Sequence, residues 1–80
     1  MRVVEEIPHS QFKITIFSWN NKYIIKIEIG QFEQSFKINE SDVSGIDDIK
    51  LMLNDAFLSK VMNRFVEMRS DFADSFKKIQ

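Results

Sequence analysis

Eighty residues, 44% hydrophobic and 29% charged with only two glycines and one proline, make a single globular domain near the lower end of what supports its own core. A net charge of -1 argues against a protein held to nucleic acid by bulk electrostatics, and the absence of cysteine excludes disulfides and thiolate metal sites. No apolar run approaches the ~20 residues that span a bilayer, and Glu5 and Glu6 interrupt "MRVVEEIPHS" before it can act as a signal peptide, so a cytoplasmic protein with no membrane contact is the expectation.

Residues 1–10 read as an N-terminal arm leading into the first strand. The one histidine, His9, follows Pro8 in this arm. Glu6-x-x-His9 has the spacing of a helical di-iron ligand pair, but that motif needs a helix and partner glutamates in a bundle, and Pro8 disfavours the helix. His9 therefore reads as a surface or strand-edge residue.

Period-two alternation begins at Phe12. Phe12, Ile14 and Ile16 alternate with Lys13, Thr15 and Phe17, and Tyr23, Ile25, Ile27 and Ile29 alternate with Ile24, Lys26 and Glu28. Asn20-Asn21 between them suits a two-residue type I′ hairpin, because Asn tolerates positive φ. That loop sets Trp19 opposite Lys22, Ile16 opposite Ile25, Ile14 opposite Ile27 and Phe12 opposite Ile29, with Lys13 beside Glu28 on the other face. A one-residue slip would scatter these matches between faces.

Gly30-Gln31 offers a second two-residue turn, of type II′, with Gly at the first central position. It pairs Ile29 with Phe32, Ile27 with Gln34, Ile25 with Phe36 and Tyr23 with Ile38, and leaves Glu28 opposite Glu33, a mild repulsion that Lys26 or Lys13 can relieve. The strands expected are 11–19, 22–29 and 32–38, a three-stranded antiparallel meander with the middle strand central. Gln34 is the one polar residue on its inner face, placed to hydrogen-bond a helix end or a loop carbonyl.

After "NESDVSG" the period becomes helical. Ser44 and Asp47 have capping-box spacing, and Ile46, Ile49, Met52 and Leu53 share one face of a short helix over 45–53. Asn54 or Asp55 then caps a second helix over 55–78, whose stripe runs Leu58, Val61, Phe65, Met68, Phe72 at alternating steps of three and four, with Phe57 and Met62 widening it. Phe76 and Ile79 extend the stripe. Ser70-Asp71 is a candidate break, since Asp71 and Asp74 precede Lys77 and Lys78 as the macrodipole favours. A helix from 56 to 79 reaches ~36 Å at 1.5 Å per residue, whereas an eight-residue strand spans ~27 Å. Phe72, Phe76 and Ile79 must then either fold back at Ser70 or bury against another subunit, and the second alternative is preferred.

The fold class expected is thus α+β, with one sheet face covered by C-terminal helices. Asp47 and Asp48 point about 100° apart on a helix, so they read as helix-start charges rather than an acid/base pair. No Gly-rich phosphate loop, nucleophile elbow or zinc spacing occurs, and neither an enzyme nor a cofactor is expected. Phe17, Trp19 and Ile24 fall on the face away from the core, and contiguous exposed apolar surface marks a contact site. With the overhanging Phe72, Phe76 and Ile79 and so small a core, they point to a protein-interaction module that self-associates as a homodimer, or that serves as a subunit of a larger complex. Two competing readings remain: the arm folds Val3, Val4 and Ile7 over the outer aromatics, or the outer face, with Lys13, Lys22, Lys26, Lys37, Phe17 and Trp19, stacks single-stranded nucleic acid.

Overall fold

A computed structural model describes all residues, 1–80. Four strands, β1 (Arg2–Ile7), β2 (Lys13–Trp19), β3 (Lys22–Ile29) and β4 (Phe32–Asn39), form one antiparallel sheet in the order β1-β2-β3-β4. A 3-10 turn, Glu40–Asp42, leads to α1 (Ile46–Met52) and α2 (Asp55–Phe76), and a second 3-10 turn, Lys77–Ile79, ends the chain's regular structure. The class is α+β, as the periodicity requires, but the sheet has four strands rather than three. The arm is itself a strand, paired along β2.

The two central registers agree with the hairpin arithmetic. Lys13 pairs with Glu28, Ile14 with Ile27, Ile16 with Ile25 and Trp19 with Lys22, and across the next turn Ile29 pairs with Phe32, Ile27 with Gln34, Ile25 with Phe36 and Tyr23 with Ile38. Asn20 and Asn21 have φ of 53° and 60°, the left-handed pair a type I′ turn demands, and Gly30 has φ of 58° with Gln31 outside that region, as type II′ demands. The β2–β3 ladder stops at Lys13–Glu28. Phe12 precedes the strand, so it enters the core from a loop rather than opposite Ile29.

β1 escaped the periodicity because it contains a bulge. Val3 pairs with Phe17 and Glu5 with Ile16, so Val4 is the extra residue between them. Beyond the bulge Glu6 pairs with Thr15 and Ile7 with Ile14. The insertion breaks the alternation of Val3, Val4 and Ile7: Val3 joins the outer row of Phe17, while Val4 and Ile7 pack against the core.

Helices cover one face. Phe12, Ile14, Ile16, Ile25, Ile27, Ile49, Leu58, Val61 and Phe65 form the buried core, with Ile49 supplied by α1 and Leu58, Val61 and Phe65 by α2. The α1 N-cap is Gly45, not Ser44: its φ of 155° with ψ of −167° belongs to a region side chains rarely adopt. The Ser44 N–H instead donates to Asp48 Oδ2 at 2.7 Å, a single bond through Asp48 rather than Asp47, with no side chain capping the helix in return. Met52 and Leu51 face outward from α1. Asn54 serves both helices, its Oδ1 accepting from the Phe57 N–H at 2.9 Å and its Nδ2 donating to the Leu51 carbonyl at 3.3 Å.

α2 lies along β4. Phe36 meets Phe57 edge-on at 5.5 Å between centroids, the Gln34 amide donates to the Val61 carbonyl at 3.0 Å, and Phe32 meets Phe72 edge-on at 5.6 Å. Gln34 thus bonds the middle of a helix, not its end. The helix runs unbroken through Ser70 for 22 residues, ~33 Å at 1.5 Å per residue. Phe72, Ala73 and Phe76 of its last turns line a groove with Gln31 and Phe32 of the hairpin, and the molecule is 47 Å long against 26 and 19 Å across. On the other side of the core α1 lies toward β1, where Lys50 Nζ contacts Glu5 Oε2, a buried oxygen with no other partner.

Candidate interaction surfaces

The outer sheet face is built in rows across the four strands. One row runs Val3, Phe17, Ile24, Lys37; the next runs Glu6, Thr15, Lys26, Ser35. Trp19 stands at the end of β2 beside Lys22, half in solvent at 49% exposure. Ile24 is a correction to the exposed triad: only 8% of it remains accessible. It sits on a central strand between Phe17 and Lys37, with Lys22 and Lys26 before and after it, and long lysine stems shield apolar surface while their ammonium groups stay wet. Phe17 is partly covered in the same way, by Lys26 Nζ at 5.5 Å from its ring centroid. The most exposed apolar side chains of this face are therefore Val3 and Trp19, at its margins, with Phe17 half-buried between them. The arm extends this patch from the side; it does not roof it.

The lysines of this face do not form a free cationic stripe. Lys13 faces Glu28, and Lys26 Nζ is 3.9 Å from Glu33 Oε2 while also lying over Phe17. β1 adds Glu6 beside Thr15, a third carboxylate among four lysines. The Glu28–Glu33 pairing is thus offset by the diagonal Lys26, as the register anticipates.

The second surface belongs to the projecting half of α2. Phe72 and Phe76 stack on each other at 6.0 Å and remain 49% and 45% exposed, and Ile79 beyond them is 79% exposed. Val66, which lies off the main stripe, is also exposed. With Arg69, Phe32 and Ile29 it lines a groove of about 310 Å³ between α2 and the Gly30-Gln31 turn. Val66 and Val3 belong to these surfaces and were not legible as such, because Val66 departs from the 3-4 spacing and Val3 stands before a bulge.

The two surfaces are far apart. Trp19 flanks the Asn20-Asn21 turn at one end of β3, whereas Phe72 packs on Phe32 at the other end, and they lie on opposite faces of the sheet. One flat contact cannot use both.

The remaining candidates have structural partners. His9 Nδ1 accepts from the Gln11 N–H at 3.1 Å, and its ring lies 4.9 Å from that of Phe12. Asp47 and Asp48 occupy the first turn of α1. No three His, Cys, Asp or Glu side chains gather where they could share a metal ion, and no helix is long and apolar enough to cross a membrane. The Lys50 pKa is held above the ordinary lysine value by its hydrogen bond to Glu5, against a smaller opposing effect of burial. In comparisons with known proteins, no family model, curated protein or solved structure matches the chain.

Proposed function

We propose that this chain is a small non-enzymatic protein-interaction module that self-associates as a homodimer through the projecting half of α2. One observation carries the reading. The stripe that buries Leu58, Val61 and Phe65 in the core continues in phase through Phe72, Phe76 and Ile79, where Phe32 at the end of β4 covers it only in part. A helix held straight past its own core, with two stacked aromatics half in water, is suited to completing a core between molecules. The cytoplasm is the proposed setting, where a cysteine-free domain forgoes nothing.

Sedimentation equilibrium tests this. The expected result at about 100 µM, a concentration that detects even weak pairing, is a mass twice the 9.5 kDa of the chain. Phe72→Ala is expected to weaken the dimer about tenfold, as loss of a buried aromatic anchor does; Trp19→Ala is expected to leave it unchanged. A monomer throughout removes the reading, and sensitivity to Trp19 alone moves the contact to the outer sheet face. A single-stranded nucleic-acid platform ranks behind it, because Lys26 already engages Phe17 and Glu33.

A further inference from the structure

We propose that the open β4 edge of the sheet pairs with the β4 edge of a second copy, antiparallel about a two-fold axis at Ser35 and normal to the sheet, so that Glu33 of each copy meets Lys37 of the other. This is a separate contact from the one through α2, and neither rests on the other.

The two edges of the sheet are not alike. β1 carries the bulge at Val4 and runs into Pro8, and both features hinder pairing with a further strand. β4 has neither: its 8 residues keep an unbroken register with β3, and Glu33, Ser35 and Lys37 are exposed. The turn decides which backbone groups are free. A two-residue loop at Gly30-Gln31 makes Ile29–Phe32 a hydrogen-bonded pair, and bonded and non-bonded pairs then alternate. The Glu40 N–H, which reaches the Asn21 carbonyl, keeps the same phase as Phe32, Gln34, Phe36 and Ile38. The N–H and C=O groups of Glu33, Ser35 and Lys37 therefore point away from β3, along the open edge.

α2 leaves that edge accessible. Its Leu58, Ser59 and Met62 line a hollow with Phe12 at the entry to β2, so the helix lies inboard of β4, and Phe36 stays 38% exposed beside Phe57. On the flank of α2 nearest β4, Arg64 pairs with Glu67. Lys60 stands about 100° or more around the helix from Leu58, Val61 and Phe65, so its ammonium group stays in water.

Symmetry and charge then fix the register. A two-fold normal to the sheet keeps both outer faces on one side and makes the strands antiparallel. A two-fold along the strands would make them parallel but turn one sheet over, setting the charged outer row of one copy beside the apolar inner row of the other. Hydrogen bonding requires the outward-pointing residues to oppose one another, which leaves registers two residues apart. Centred on Ser35, Glu33 meets Lys37 of the second copy twice, and Phe32 meets Ile38 on the inner face. Centred on Gln34 or Phe36, Glu33 meets Ser35 or Asn39 and no opposite charges pair directly. Centred on Glu33 or Lys37, like charges meet at the axis.

Both partners are placed to accept this pairing. Glu33 lies opposite Glu28, and its one cation, Lys26, is 3.9 Å away. Lys37 stands opposite Ile24 and takes part in none of the chain's ion pairs. A strand pair of this length buries little apolar surface, so the contact is weaker than the one through α2 and joins copies at higher concentration.

A disulfide trap tests the geometry on the full chain, which has no cysteine of its own. In the pairing the two Ser35 Cα atoms are about 5.5 Å apart, within the roughly 4.4–6.8 Å that a disulfide spans. The two Asn39 Cα atoms, also on the exposed edge, are offset by eight residues, roughly 26 Å. In a glutathione redox buffer Ser35→Cys is expected to form at least about tenfold more covalent dimer than Asn39→Cys. Glu33→Lys and Lys37→Glu are each expected to reduce the Ser35→Cys cross-link severalfold, and the two together to restore it. Cross-linking at Ser35 no greater than at Asn39, or indifferent to both charge reversals, overturns the edge pairing and leaves the α2 contact standing. Selective cross-linking at Ser35 in a chain that sediments as a monomer at 100 µM supports the edge pairing and removes the α2 contact.

Discussion

Asn21 shows how one residue sets a register. Its φ of 60° is left-handed backbone, and its carbonyl accepts from the Glu40 N–H at 3.0 Å, tying the hairpin tip to the segment after β4. A Cβ-bearing residue without a local side-chain hydrogen bond resists that conformation by roughly 1–2 kcal/mol. Asn21→Ala is therefore expected to lower stability by about 1 kcal/mol in urea unfolding, while Asn21→Gly, which keeps the carbonyl and forms the favoured Asn-Gly turn, is expected to hold or raise it. Equal losses for the two substitutions would show that backbone conformation is not what Asn21 contributes. The positive φ was legible in advance because few residues other than Asn and Gly suit it. The burial of Ile24 was not, because it depends on how far the stems of neighbouring lysines lie down on a sheet.

At the scale of elements, periodicity found β2, β3, β4 and both helices, but it missed β1. A bulge moves every later residue of a strand to the other face, so Val3, Val4 and Ile7 have no common period although all three belong to one strand. The ends of helices were less legible than their stripes. Gly45 and Asp48 share the work assigned to Ser44 and Asp47, a difference of one residue that hydrophobic spacing does not report. Elements also meet through charge. The Lys50 pKa is raised in the folded protein, chiefly by the hydrogen bond to Glu5, so the contact of α1 with β1 contributes its full stabilisation below the unfolded lysine value of about 10.4. That contribution is lost as pH rises through the higher folded value. In urea-unfolding midpoints followed into alkali, wild type is expected to fall more steeply than Lys50→Met across this window. Parallel curves would remove the pair as a contributor.

The whole molecule is a thin core with a long extension. Ile16, Ile27 and Ile49 have no accessible surface, and the sheet and both helices converge on them. Truncating such a side chain costs about 2–5 kcal/mol, which matches the roughly 3–5 kcal/mol that a core of this size supplies in all. Ile27→Ala is expected to leave a monomeric chain largely unfolded by circular dichroism at 25 °C, a standard condition for such measurements, and a cooperative native baseline would refute that estimate. In a dimer the same variant would regain structure with rising protein concentration, because association adds to the stability of the folded form. Sequence alone determined the α+β class, the two hairpin registers and the apolar stripe of α2, since each follows from local rules: positive φ at Asn and Gly, period two in strands, and 3.6 residues per helical turn. Only the tertiary structure decided that the arm adds a bulged edge strand, that α2 passes Ser70 without bending, and that its exposed aromatics stand at the opposite end from Trp19. Those outcomes depend on which surfaces compete for the same sheet face and edge, and that competition is settled between elements rather than within any of them.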